Sequence, residues 1–402
     1  MTRHLFAVLA AATALTLSTT TASAQSSWIE KAQWIGTPSL PAGAALGSSI
    51  GISGDNVVVG ASIEGVAYVL SSSSGGLRFV QRIEAPDGIP GELGEAVDID
   101  GNRLIIGREY DDIVSFNSGS AYIYRLDGDT WVLEDKLIPS DAFQLDNFGC
   151  SVAIDGDRAI IGAQFDDDRG TSSGAAYIFE RFGTQWIQTE KLVARQGGEG
   201  DLAGWAVDLD GNVAVVGAWG NSSVNLFGGA TYVYEYSPSG WNQTGTLRSP
   251  MPQDDLYFGV SVAASEGRIA VGATGRGGRR GAAHVFTRDS LGWSLEQSWT
   301  PTLARGTEFG NSLSFDGDLL VIGAHRQGNF NTRGVVYLAE RTSLGWSALE
   351  TLEPNDPPKN GRFGWAVDFD GNKLVSTAIA ADPGGEVFLF ERRVGLGSGK
   401  KK

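Results

Sequence analysis

The sequence predicts an all-β fold, a seven-bladed β-propeller of four-stranded antiparallel blades closed by an N-terminal strand that completes the last blade. Three observations predict it. One block recurs seven times, beginning at Leu46-Gly47, Leu93-Gly94, Phe148-Gly149, Ala203-Gly204, Phe258-Gly259, Phe309-Gly310 and Phe363-Gly364. Each block holds four short apolar segments bounded by Gly- and Asp-rich turns, with no helical period between them. The seventh block lacks its fourth segment, and a matching segment precedes the first. Composition agrees: 56 glycines and 42% hydrophobic residues in 402 describe a turn-rich chain with enough apolar surface for a core. A net charge of −16 denies nucleic acid the basic footprint it needs, so no nucleic-acid partner is expected.

The elements follow in chain order. Residues 1–24 read as an export signal, with Arg3 as the positive start, Leu5 to Leu17 as a short apolar core, and Ala22-Ser23-Ala24 as the small-residue cleavage pattern. That core is too short to span a bilayer, and no later segment is apolar enough, so no membrane span is expected. The mature protein is expected to be secreted, periplasmic or held at the cell surface. Residues 25–393 read as one propeller domain and 394–402, with three terminal lysines, as a flexible tail. A monomer is expected. The single cysteine, Cys150, rules out a disulfide framework and reads as a small hydrophobe in a packed strand.

The third block shows the grammar. Ser151-Val152-Ala153-Ile154 alternates as a strand, Asp155-Gly156-Asp157 is a tight turn, and Arg158 to Ala163 is the second strand. Gly174 to Arg181 is the third and Trp186 to Val193 the fourth. Such units are too small to hold a core alone and must stack on neighbours. A linear β-solenoid is the structural alternative, but its turns are shorter than intervals of 47 to 55 residues. Closure favours the ring: Ser27 to Ile35 resembles the fourth segments and can fill the place missing after Glu386 to Arg392.

These motifs resemble the FG-GAP repeats of the integrin alpha-subunit propeller and of bacterial secreted relatives. Phe-Gly stands at 148–149, 258–259, 309–310 and 363–364; Gly-Ala closes the second strand at 60–61, 162–163, 217–218, 272–273 and 323–324. The resemblance implies a seven-bladed propeller for extracellular binding or adhesion, without catalysis. It also implies Asp-rich calcium loops between the first two strands. Here only Asp98-Ile99-Asp100-Gly101-Asn102, Asp208-Leu209-Asp210-Gly211-Asn212 and Asp368-Phe369-Asp370-Gly371-Asn372 remain. Calcium takes about six to eight oxygens from a wrapping loop, whereas these fragments suit a type I′ turn.

Candidate sites lie in the loops after the second and fourth strands, which share one end of the ring. In the second and third copies these loops are acidic. Asp111, Asp112, Asp166, Asp167 and Asp168, near hydroxyl and amide oxygens, are the metal candidates, and calcium is the one cofactor they suggest. The alternative is a solvated acidic turn. In the fifth and sixth copies the same loops turn basic. Arg276, Arg279, Arg280, Arg305, His325, Arg326 and Arg333 are candidates for gripping a carboxylate, sulfate or phosphate, against surface ion pairing. Trp219, Trp205 and Trp365 break the repeat rule. All three, Trp219 at a loop mouth among them, are candidates to stack on a sugar or peptide ring, although filling the axis is the role expected of Trp205 and Trp365. The partner expected is an extracellular protein or glycan, an anionic one included. The alternative is a polysaccharide lyase or hydrolase around His325, the accessible histidine. A third is a structural surface component without a small ligand. An enzyme calls for His325 and a carboxylate or Tyr converging in a deep pocket, a binder for a broad, shallow face.

Overall fold

The computed structural model describes residues 28–393 except 37–39, 42, 74–75, 89–92, 276–279, 302–305, 327–332 and 383. The expected signal (1–24) and tail (394–402) lie outside the described residues. Seven antiparallel sheets follow one another around an axis, and no helix occurs among the described residues. Blade 3 is representative, running Phe148–Asp155, Arg158–Ala163, Ala175–Phe182 and Gln185–Leu192 from the axis outward. The other inner strands are Leu46–Ser53, Val97–Asp100, Ala206–Asp210, Phe258–Ser265, Leu313–Asp316 and Phe363–Asp370. Blade 6 departs slightly, since its outer edge is split into Gly345–Trp346 and Glu350–Leu352.

The ring closes as the sequence predicts. Trp28–Trp34 is the outermost strand of blade 7 and pairs antiparallel with Glu386–Arg392, from Trp28 opposite Arg392 to Trp34 opposite Val387. The seventh blade therefore contains both ends of the described chain, and the last sheet cannot form without the first strand.

The repeated motif has a steric cause. The Gly that opens each block adopts positive φ, +97° at Gly149 and +89° at Gly204. That backbone presses its carbonyl onto the Gly of the previous blade's Gly-Ala, and a Cβ on Gly162 would collide with the Gly204 oxygen. Two glycines per blade thus let neighbouring backbones touch. Blade 7 has Thr377 where the others have this glycine, and its hydroxyl donates to Gly47 O at 2.9 Å instead. The Phe of Phe-Gly then packs edge-on against the third-strand aromatic, as Phe148 does on Tyr177 at 5.4 Å. The hydrophobic clusters lie between adjacent blades: Ile160 and Ile178 of blade 3 pack with Val216 and Tyr232 of blade 4.

The hairpin turns correct one expectation. Gly101, Gly156, Gly211 and Gly371 have φ of +55° to +59° while the residue after each has negative φ, the pattern of type II′ and not type I′. Only blade 5, with Glu266 and Gly267 both at positive φ, turns as type I′ among the described hairpins. The residues resembling calcium-loop remnants sew blades together. Asp98 Oδ2 accepts from Ile154 N and Asp100 Oδ2 from Gly156 N, both at 2.7 Å. Asp368 and Asp370 do the same for Ile52 N and Gly54 N across the closure.

Candidate functional site

Two sets of repeat-equivalent positions face the axis at the loop end. One follows the inner-strand Gly: Ser48, Glu95, Cys150, Trp205, Val260, Asn311 and Trp365. The other follows the second strand and includes Glu109, Gln164, Thr274 and His325. Together they line a cavity of about 530 Å³. Blade packing dictates the strands, so Val, Ile, Gly and Tyr recur there; these axial positions follow no such rule, and in the first set only Trp occurs twice.

The lining is chemically uneven. On the blade 2 side Glu109 is buried and held by Gln164 Nε2 at 3.3 Å and Asn147 Nδ2 at 3.5 Å. Burial, then the charge of Glu95, raises its pKa above the usual carboxylate range. Glu95 itself is exposed, with no partner among the described residues. Cys150 is half-buried, and its thiol donates to Gly204 O at 3.3 Å. It is therefore a cavity-lining residue, where the sequence suggests a core hydrophobe. Burial and the Glu109 charge push its pKa up to about 12, so it is no nucleophile.

On the opposite side His325 is buried, 4% exposed, contrary to the expectation that it is accessible. Its Nε2 lies 3.1 Å from Glu308 Oε2, and its ring stands edge-on to Trp365 at 4.6 Å. Burial lowers its pKa, outweighing Glu308; its Nδ1 is buried without a hydrogen-bond partner. Trp365 closes the seam by donating from Nε1 to Ser48 O at 3.2 Å. Trp205 is 39% exposed and open to the cavity, so it does not fill the axis as expected. Trp219 is half-buried behind it, 5.5 Å from Trp205 and 4.8 Å from Tyr257. Trp219 props Trp205 more than it faces solvent.

The basic loops meet only in part. Arg276, Arg279 and Arg305 lie outside the described residues. Arg280 is exposed and its carbonyl accepts from Thr307 Oγ1 at 2.7 Å, while Arg326 N donates to Thr307 O at 3.3 Å. Thr307 thus places Arg280 and Arg326 side by side. The Arg326 guanidinium is paired with Glu308 at 2.7 Å. Arg333, exposed at the other end of the same blade 6 loop, has its carbonyl accept from Phe363 N of blade 7.

The acidic loops are built around side-chain cations. In blade 3, Lys191 Nζ lies 2.7 Å from Asp166 Oδ2, 2.7 Å from Asp141 Oδ2 and 2.8 Å from Asp168 Oδ2. Burial alone would lower the Lys191 pKa, but these three carboxylates hold it above the ordinary value. In blade 2, Asp111 Oδ2 takes Lys136 Nζ at 2.8 Å and Ser120 Oγ at 2.6 Å. Asp112 and Asp167 cap their own loops at Asn117 N and Ser172 N, each at 2.7 Å. The sequence reading missed Asp141 and both lysines. Lys136 and Lys191 stand cross-strand from Tyr122 and Tyr177, a pairing only the register reveals. Asp141, Asp166 and Asp168 bring three carboxylate oxygens within 4.8 Å of one another, and only the last two are among the candidates the sequence offers. An ammonium group already occupies the point where three carboxylate oxygens converge, and the candidates in blades 2 and 3 serve separate loops.

At the far end of the axis a second cavity of about 440 Å³ is ringed by the inner-strand turns. Burial raises the pKa of Asp98 to about 8, of Asp208 to about 7 and of Asp368 to about 6, the charge of Asp368 adding to the first.

Residues 77–124, 131–179 and 186–234 each match the FG-GAP repeat family, every match running from a fourth strand into the next blade's third. No curated protein matches the chain. Among solved structures it is similar to the β-propeller domain of Cps50 (Swd1) from Myceliophteria thermophila, at 9% identity and a TM-score of 0.54, covering 86% of this chain and 95% of that one. It is also similar to Sqt1 from Saccharomyces cerevisiae, at 14% identity and a TM-score of 0.48, covering 92% and 85%. At 9% identity the likeness to the Cps50 domain is one of fold. No helix among the described residues is long and apolar enough to cross a membrane.

Proposed function

We propose, from the premise that the chain is a propeller carrying FG-GAP repeats, that it is an exported, non-catalytic binding protein that takes its ligand at the loop-end mouth of the axis. The observation that carries this reading is the break in repetition. Seven blades repeat their packing residues, yet the mouth presents Glu95, Cys150, Trp205, Val260, Asn311 and Trp365 at one equivalent position. Side chains that the repeat does not dictate, the exposed Glu95 and Trp205 above all, are free to meet a ligand.

The concave mouth and the His325–Glu308 pair are what a catalytic reading would also call for. Against it, His325 is nearly enclosed, and the one thiol nearby is held protonated. A hydrolase or lyase further needs an accessible base beside the scissile bond. Capture on an array of immobilised glycans and secreted proteins tests the proposal. Retention of an unaltered ligand supports binding, and release of a shortened product, abolished in His325→Gln, overturns it in favour of catalysis. Export is tested separately by the N-terminus of the mature protein, expected at Gln25.

A further inference from the structure

The ligand class follows from the lining of the axial mouth, and this inference rests on the binding reading above. A volume of about 530 Å³ falls within the range of small-molecule pockets, roughly 300–1,000 Å³. It is a bowl for part of a molecule and not a flat protein-sized face.

Its polar groups are mostly acceptors. Gln164, 6% exposed, turns its Nε2 to Glu109 and leaves Oε1 buried with no partner. Glu109 has only amide and phenol donors, two of them at 3.3 and 3.5 Å. Glu95 has no partner among the described residues. His325 Nδ1, 4% exposed at the residue level, is also unpartnered. Neither Lys nor Arg is among the described lining residues, whereas three carboxylates are. A buried acceptor left unpaired is costly, so a ligand that brings donors recovers that cost and a purely apolar one does not. An anionic group would face three carboxylates across a partly dry cavity.

The remaining surface is aromatic. The Trp205 indole opens onto the cavity and is fixed from behind by Trp219, itself packed on Phe227 and Tyr257. A rigid indole face suits a flat, C–H-rich surface. We infer that the axial mouth binds a non-anionic saccharide unit, neutral or amino, with one ring face on Trp205 and its hydroxyl or amine donors on Glu95, Glu109 and the Gln164 carbonyl oxygen. The Arg280 and Arg326 side chains lie outside this lining, so an acidic glycan is not the ligand of this cavity.

The test is titration of the full exported protein, by calorimetry and tryptophan fluorescence, with cellotetraose, maltotetraose, mannotetraose, a chitosan tetramer and tetragalacturonate. At least one neutral or amino tetramer is expected to bind and shift the emission, and tetragalacturonate is not. Trp205→Ala is expected to weaken that binding at least tenfold and Gln164→Ala about fivefold. Both variants should keep the wild-type melting temperature within a few degrees, since neither residue supports a blade. Binding of tetragalacturonate alone, or binding indifferent to Trp205→Ala at unchanged melting temperature, overturns the inference. A protein that captures an immobilised protein but none of these tetramers also overturns it while leaving the binding reading standing; failure to capture anything removes both.

Discussion

Lys191 places its ammonium 2.7 Å from the buried Asp166 carboxylate and within 2.8 Å of Asp141 and Asp168, so blade 3 carries its own cation where its acidic loop converges. Blade 2 repeats the arrangement with Lys136 and Asp111, and blade 1 has Arg82 on Glu64 at 3.0 Å. Each cation stands cross-strand from the third-strand tyrosine of its blade. The tie therefore recurs in blades 1 to 3, a carboxylate from the loop held by a base from the outer strand, whereas blades 4, 5 and 6 place Thr246, Ser298 and Thr351 at the same register position.

Thermal unfolding should be indifferent to EDTA and to added calcium, because the Lys191 ammonium already sits where the three carboxylate oxygens converge. Lys191→Met should destabilise the protein by about 3 kcal/mol, the cost of leaving a buried acid unpaired. Calcium should then recover part of that loss, since three carboxylate oxygens within 4.8 Å of one another would be left vacant. A calcium-dependent rise in the wild type would contradict this.

The far mouth of the axis predicts a pH dependence. Asp98, Asp208 and Asp368 have folded pKa values raised to about 8, 7 and 6. A raised folded pKa means that folding favours the protonated acid. Their contribution to stability is therefore full below about pH 4, where the unfolded carboxyls are protonated too, and is lost as pH rises from about 4 to the folded values of about 6 to 8. Asp98→Asn, which keeps an oxygen to accept from Ile154 N, should raise stability at pH 9 by on the order of 1–3 kcal/mol and change it little at pH 4. Melting curves at the two pH values check the sign.

Glycine substitutions should separate two structural needs. Gly162→Ala drives a methyl group into the backbone of the next blade and should cost about 3 kcal/mol or more. Gly156→Ala meets open space at φ +59° and should cost only about 1 kcal/mol, the conformational penalty alone. Denaturant midpoints of the two variants give the comparison.

Cys150 lines the cavity yet should alkylate slowly with iodoacetamide at pH 7.5, because burial and Glu109 keep the thiol protonated. Glu109→Gln should speed the reaction by removing the neighbouring charge.

The repeat made the fold readable. A recurring Phe-Gly and Gly-Ala report a contact between adjacent blades, so the sequence carries both partners of each junction and the number of junctions. The unpaired third strand at Glu386 to Arg392 and the spare strand at Trp28 to Trp34 likewise specify the closure. The site was less legible because its contacts join residues about one blade apart without a motif. The aspartate positions in blades 2 and 3 invite calcium until Lys136 and Lys191 are placed opposite them by strand register. His325 looks accessible in a Gly- and Arg-rich loop; only the fold sets Trp365 and Glu308 against it. Trp205 and Trp365 occupy equivalent positions, but one indole is tied across the seam to Ser48 O and the other stays open.

Hydrogen–deuterium exchange of the exported protein, alone and saturated with the ligand that the array identifies, tests the central claim most directly. The account predicts slowed exchange in the inner-strand segments 48–50, 95–97, 150–152, 205–207 and 365–367, with the outer strands unchanged. Protection confined to outer strands such as Thr130–Leu137 or to loop tips such as 112–116, with the axial segments unaffected, would contradict it.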